Sequence, residues 1–207
     1  KFNLGLLAFD AGELDEAEKQ FLGVLGSKAA DAAVAEGNEI FINAIHNIAS
    51  ARISKNDFAG ARDMLKSLEK APSMAGDASY RYKRGFVEMK VGQTKAAEDI
   101  YQGLISDSSA PRHIRDKSIL TLSDLLFHAD RFDDLVKLQE KEIGAMKDPE
   151  ARAHISYLAG MAYFNKEQYD SADGMFAVVK DSPDTTLQAD GWLKYADCQY
   201  NLGNFKK

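Results

Sequence analysis

Gly12-Glu13-Leu14-Asp15-Glu16-Ala17, followed four residues on by Phe21, returns as Asn56-Asp57-Phe58-Ala59-Gly60-Ala61 followed by Leu65. The shared phrase is a turn-forming or polar residue, one spacer, a large apolar residue, two spacers, a small residue, three spacers and a second large residue. Gly92, Thr94, Ala97 and Tyr101 form a third copy, and Asp130, Phe132 and Leu135 a degenerate fourth. Glu167, Tyr169, Ala172 and Phe176 form a fifth, and Gly203 and Phe205 open a sixth. The small-residue positions 17, 61, 97, 135 and 172 stand 44, 36, 38 and 37 apart, which is the length of two helices and their turns. Seven residues ahead of each turn stands Gly5, Ala49, Gly85, Ser123, Gly160 or Ala196, where a small side chain lets two helices approach closely. Pro72, Pro111, Pro149 and Pro183 each fall between a second helix and the next first helix, where a ring that cannot continue a helix is useful.

Composition narrows what such a chain can do. With 207 residues and 45% hydrophobic side chains it can bury a sizeable core, so disorder is excluded. The balance of 26 basic against 32 acidic residues gives a formal charge of -6, so no global basic field draws the chain to nucleic acid. The single cysteine, Cys198, rules out an internal disulfide framework and a multi-thiolate metal site. No apolar run reaches membrane-spanning length. The chain opens inside a helical pattern and stops just after a turn signal, as a piece of a longer protein would.

The repeated residues resemble the tetratricopeptide repeat family, whose pattern runs through Trp, Leu-Gly, Tyr, Gly-x-Tyr, Ala, Phe, Ala and a closing Pro. The last copy matches through Trp192, Tyr195-Ala196 and Gly203-x-Phe205. Two departures stand out: the stretch from Gly26 to Ile40, and the fourth copy, where Gln139 and Glu142 replace apolar residues and leave either loose packing or a binding position. The resemblance implies an all-α fold, a right-handed α-solenoid of about six tetratricopeptide-like helix-turn-helix repeats. One domain over 1-207 is expected, with repeats near 1-30, 41-72, 78-110, 114-148, 151-183 and 188-207.

Each helix pair has an apolar face too large to hide alone, so stacked pairs share a core and leave a concave groove. In such arrays the first helix of each pair lines the inside. Three residues before the small position come Phe2, His46, Tyr82, Leu120, Tyr157 and Leu193; one after it come Leu6, Ser50, Phe86, Asp124, Met161 and Asp197. Four after it come Phe9, Ile53, Met89, Phe127, Phe164 and Tyr200, a row that inter-helix packing claims ahead of the groove. Five after it come Asp10, Ser54, Lys90, His128, Asn165 and Asn201. We take Phe2, His46, Ser50, Tyr82, Phe86, Lys90, Asp124, His128, Tyr157, Met161 and Asn165 as the candidate partner-binding groove, with core packing and groove equally open for Tyr82, Phe86 and Tyr157.

No catalytic constellation emerges, and no cofactor or metal is expected. Tetratricopeptide proteins that hold heat-shock chaperone tails resemble one another in a basic clamp, Lys three before the small residue and Asn one after it; Phe2 and Leu6, His46 and Ser50, and Tyr82 and Phe86 stand there instead. Gly23-Val24-Leu25-Gly26-Ser27-Lys28 does not meet the phosphate-loop pattern, and no strand precedes it. His46, His113, His128 and His154 lack metal-ligand spacing. Tyr80-Arg81-Tyr82-Lys83-Arg84 interleaves bases and aromatics, but a helix splits it, with Tyr82 toward the groove and Arg81 and Arg84 outward as a solvated edge.

The expected function is therefore a protein-protein interaction or scaffold module that takes a peptide or partner helix in its groove. The alternative is a regulatory or docking arm of a larger enzyme or regulator. Self-association is a third class. Tyr169, Ala172, Phe176, Val179, Ser182-Pro183 and Ala189 resemble the bacterial envelope lipoproteins with these repeats, which implies a periplasmic setting ahead of a cytoplasmic one.

Overall fold

The computed structural model describes residues 1-26 and 30-204; Ser27 and Lys28 of the phosphate-loop look-alike and Phe205 of the sixth repeat phrase lie outside the described residues. All regular structure among the described residues is helical. It falls into two compact units, Lys1–Ala110 and the residues from Pro111 onward. The first contains α1 (Phe2–Asp10), α2 (Leu14–Leu25), α3 (Ala30–Ala35), α4 (Glu39–Ser54), α5 (Phe58–Ser67), a 3-10 turn at Leu68–Lys70, α6 (Ala78–Lys90) and α7 (Thr94–Ser106). The second contains α8 (Arg112–His128), α9 (Phe132–Glu142), α10 (Pro149–Asn165), α11 (Tyr169–Val179) and α12 (Thr185–Asn201). Within each unit successive helices pair as hairpins, and each second helix also packs on the next first helix.

The turn residue of the repeat phrase is a left-handed backbone position in all six copies. Its φ is +78° at Gly12, +61° at Asn56, +80° at Gly92, +56° at Asp130, +58° at Glu167 and +75° at Gly203. The residue after each turn donates its N–H to the carbonyl five residues back, as from Glu13 to Ala8 at 2.8 Å and from Gln168 to Tyr163 at 2.9 Å. These bonds satisfy helix-end carbonyls that otherwise lack partners. Glycine takes this conformation without a Cβ clash and Asn and Asp tolerate it, whereas Glu167 is held there against its preference.

Helix starts are set by different residues. Asn38, Asp77, Asp148 and Asp184 accept backbone N–H groups at the first turns of α4, α6, α10 and α12. Each such cap is worth about 1 kcal/mol. Pro149 is the first residue of α10 rather than a linker residue, a position where its missing N–H costs nothing.

In three hairpins the glycine of the first helix faces the second large residue of the phrase. A Cβ on Gly5 would lie 2.6 Å from Cε1 of Phe21, on Gly85 3.0 Å from Cε1 of Tyr101, and on Gly160 2.7 Å from Cε1 of Phe176. All three rings are fully buried. Where the small position carries a Cβ, its counterpart is not aromatic: Ala49 goes with Leu65, and Ser123 with Gln139, all four buried. The side chains have exchanged volume across the interface, as dense packing demands. Ser123 and Ser118, buried in α8, donate hydroxyl hydrogen bonds to the carbonyls of Ile119 and Ile114, both at 2.8 Å. Gln139 is therefore a packed residue of the degenerate fourth copy.

The lengthened first step is occupied by α3. Its Val34 is buried with Ile45, Leu65 and Leu68, so the extra residues enlarge the first unit's core instead of looping out. In α12 the small-position residue Ala196 is exposed, and so are Trp192, Leu193 and Tyr200.

Candidate functional site

The expected groove residues separate into three groups. Phe2, Tyr82 and Tyr157 are half-buried and lean on rings of the second helices: Phe2 on Phe21 at 5.7 Å between centroids, Tyr82 on Tyr101 at 5.6 Å and Tyr157 on Phe176 at 6.0 Å. Met161 packs on the same buried cluster as Tyr157. These side chains line the first-helix face and are also part of the packing beneath it. His128 and Asn165 stand exposed at the ends of α8 and α10.

The third group is a polar cluster in the first unit. From α6, Lys83 Nζ reaches Nε2 of His46 at 2.6 Å and donates to Oγ of Ser50 at 2.7 Å, both on α4. Ser50 in turn donates to the His46 carbonyl at 2.9 Å. Because the ammonium can only donate, His46 accepts at Nε2 and carries its proton on Nδ1. Burial first, and then the neighbouring Lys83 charge, push His46 down to about 4, with Asp77 opposing. Burial likewise pushes Lys83 down to about 8, again against Asp77. At neutral pH the cluster is thus a neutral imidazole, a hydroxyl and one ammonium ion.

Lys83 was not among the expected groove residues, although the spacing contains it. Lys83, Phe86 and Lys90 fall three and four residues apart, on one face of α6. His46, Ser50 and Ile53 form the matching stripe on α4. Phe86 packs edge-on to Phe58 at 6.0 Å, and the exposed Lys90 holds its Nζ 5.5 Å from the Phe86 centroid and 5.9 Å from that of Phe58. The run from Tyr80 to Arg84 divides further than expected. Tyr80 is buried and donates to the Leu65 carbonyl at 2.9 Å. Arg81 and Arg84 are not a solvated edge: they pair with Asp107 at 2.6 Å and Glu69 at 2.8 Å.

The second unit has its own bridge between first helices. Asp124 on α8 meets Nε2 of His154 on α10 at 3.1 Å, and this hydrogen bond, ahead of opposing burial, raises the histidine above its ordinary value. Cys198 is buried, and burial raises its thiol to about 11, which leaves it protonated and inert. Among the described residues no three His, Cys, Asp or Glu side chains gather as a metal site, and no helix is long and apolar enough to cross a membrane.

No protein-family model matches the chain, and no curated protein matches it. Solved structures do. The C-terminal part of a TPR repeat-containing protein from Cytophaga hutchinsonii superposes with a TM-score of 0.76 at 18% identity, covering 99% of this chain and 72% of that one. The fold is that of the tetratricopeptide repeat. YrrB, described as a TPR protein with an unusual peptide-binding site, superposes at 0.68 with 19% identity, over 93% of this chain and 90% of its own. MamA superposes at 0.65 with 15% identity, over 98% of both chains. In this fold the Lys83 hydrogen bonds to His46 and Ser50 are what join α6 to α4.

Proposed function

We propose that this chain is a protein-interaction module that receives a peptide or a partner helix on the first-helix face of a unit. The supporting observation is where α6 meets α4: an ammonium ion, an imidazole, a hydroxyl and the Phe86 ring stand half-buried, with Lys83 bonded to His46 and Ser50. Second-helix aromatics such as Phe21, Tyr101 and Phe176 are by contrast sealed in the cores. A surface with partly exposed aromatic anchors among fixed polar groups is what peptide recognition requires. The likeness to YrrB, which carries a peptide-binding site, favours the same use of the fold.

The test is site-specific photo-crosslinking. Peptides selected from a random display library against the chain are incubated with variants carrying benzoylphenylalanine at Lys90 or Asn165 on first helices, or at Lys66 on α5. Crosslinks from Lys90 or Asn165 and none from Lys66 support the proposal. Selection of no peptide, or equal crosslinking from Lys66, refutes it.

A further inference from the structure

We infer that the α4–α6 wall is selective for acidic segments, with Lys83 as the group that takes a carboxylate of the bound chain. This rests on the proposed peptide-binding role and adds the chemistry of the ligand.

Lys83 is a half-buried cation whose partners, His46 Nε2 and Ser50 Oγ, are both neutral. Two of its three N–H donors are thereby aimed and the third is left over. Other partly buried cations of the first unit are neutralised: Arg52 by Glu18 at 2.7 Å, Arg81 by Asp107 at 2.6 Å and Arg84 by Glu69 at 2.8 Å. Asp77 acts on Lys83 only at a distance and forms no ion pair with it, so this half-buried charge costs free energy that a ligand carboxylate in contact recovers on binding. The hydroxyl and imidazole fix the ammonium in place beforehand, so little side-chain freedom is lost when the ligand arrives. Burial lowers Lys83 although Asp77 opposes it, which agrees with a site where no carboxylate contacts the ammonium.

The stripe on α6 extends this to a short motif. From Lys83 to Lys90 is seven residues of helix, about 10 Å at 1.5 Å per residue. Three residues of a polyproline-II segment, whose side chains return to one face every third residue, span about 9 Å. Phe86 lies between the two lysines on the same face, under the Lys90 ammonium. The complementary ligand is a segment in the polyproline-II conformation, with carboxylates at positions i and i+3 on one face and an apolar side chain between them.

The probes are the capped hexapeptide Ac-Gly-Glu-Leu-Ala-Glu-Gly-NH2, its analogue with Gln for both Glu, and Ac-Gly-Gln-Leu-Ala with a free C-terminus, titrated calorimetrically at low ionic strength. The Glu peptide is expected to bind about tenfold or more tightly than the Gln analogue, as befits hydrogen bonds to a charged group. Lys83→Gln is expected to erase that preference, and Lys90→Gln to reduce it. Lys83→Met is expected to erase it as well without lowering the melting temperature, because an unpaired half-buried charge is replaced by an apolar chain; a purely structural lysine would lower it. Lys83-dependent binding of the peptide with the free C-terminus, without a preference for the Glu over the Gln hexapeptide, would assign the lysine to chain-end carboxylates and overturn the inference. Equal affinity for Glu and Gln peptides, absence of binding by either, or a preference that survives Lys83→Gln overturns it. If display-selected peptides still crosslink from Lys90 while the acid preference is missing, the acidic specificity fails and the binding wall stands.

Discussion

Gly160 and Phe176 occupy a single shared volume: the buried ring fills the place where a Cβ on the glycine would sit, 2.7 Å from Cε1. Alanine favours a helix over glycine by about 1 kcal/mol, but a locked ring at that distance has no room to yield. Gly160→Ala is therefore expected to destabilise the second unit by about 1–2 kcal/mol net, within the usual range for overpacking. Adding Phe176→Leu recreates the Ala49 and Leu65 combination of the second repeat and should recover part of the loss. A double-mutant cycle by urea denaturation measures this, and additive effects would show that the two sites do not share space.

Glu167 is the one turn residue of its kind, with φ at +58° and neither the freedom of glycine nor the tolerance of Asn or Asp. Glu167→Gly should raise stability by about 1 kcal/mol, since the left-handed conformation costs a side-chain residue that much. Thermal unfolding decides it. A lower melting temperature would mean that the exposed Glu167 side chain makes a compensating contact.

His46 and Lys83 are both lowered, to about 4 and about 8 from ordinary values of 6.5 and 10.5, with Asp77 the acidic group that opposes each shift. A basic group lowered in the fold binds its proton more readily when unfolded. Stability contributed by neutral His46 is accordingly lost as pH falls from 6.5 toward 4, and that linked to Lys83 rises between 8 and 10.5. Nitrogen and carbon chemical shifts of selectively labelled histidine and lysine follow both titrations directly. A His46 midpoint near 6.5 or a Lys83 midpoint near 10.5 would contradict the buried cluster.

His154 behaves oppositely, because its hydrogen bond to Asp124 raises it. Its contribution is fully present below the unfolded value and disappears as pH rises through the higher folded value. Asp124→Asn should lower the melting temperature at pH 5.5 and leave it unchanged at pH 9. Equal losses at both pH values would assign Asp124 another role.

The fold was legible because its signals are backbone demands. Six turn residues sharing one left-handed conformation, and a small residue facing a ring at constant spacing, leave a periodic trace that needs no family name. First-helix starts left none in the repeat phrase: α4, α10 and α12 begin at Glu39, Pro149 and Thr185, where Asn38, Asp148 and Asp184 accept the first N–H groups. The site was legible only as rows. Counting from the small residue places Tyr82 and Tyr157 on the first-helix face, yet whether a ring there meets solvent or another ring depends on the second helix. Lys83 escaped notice for a related reason: its importance comes from His46 and Ser50, 37 and 33 residues away in sequence.

Hydrogen–deuterium exchange of the chain with and without a display-selected peptide tests the binding wall most directly. The account expects slowed exchange within Glu39–Ser54 and Ala78–Lys90, and little change within Phe58–Ser67 and Thr94–Ser106. Protection confined to the second helices, or none at saturating peptide, would contradict it.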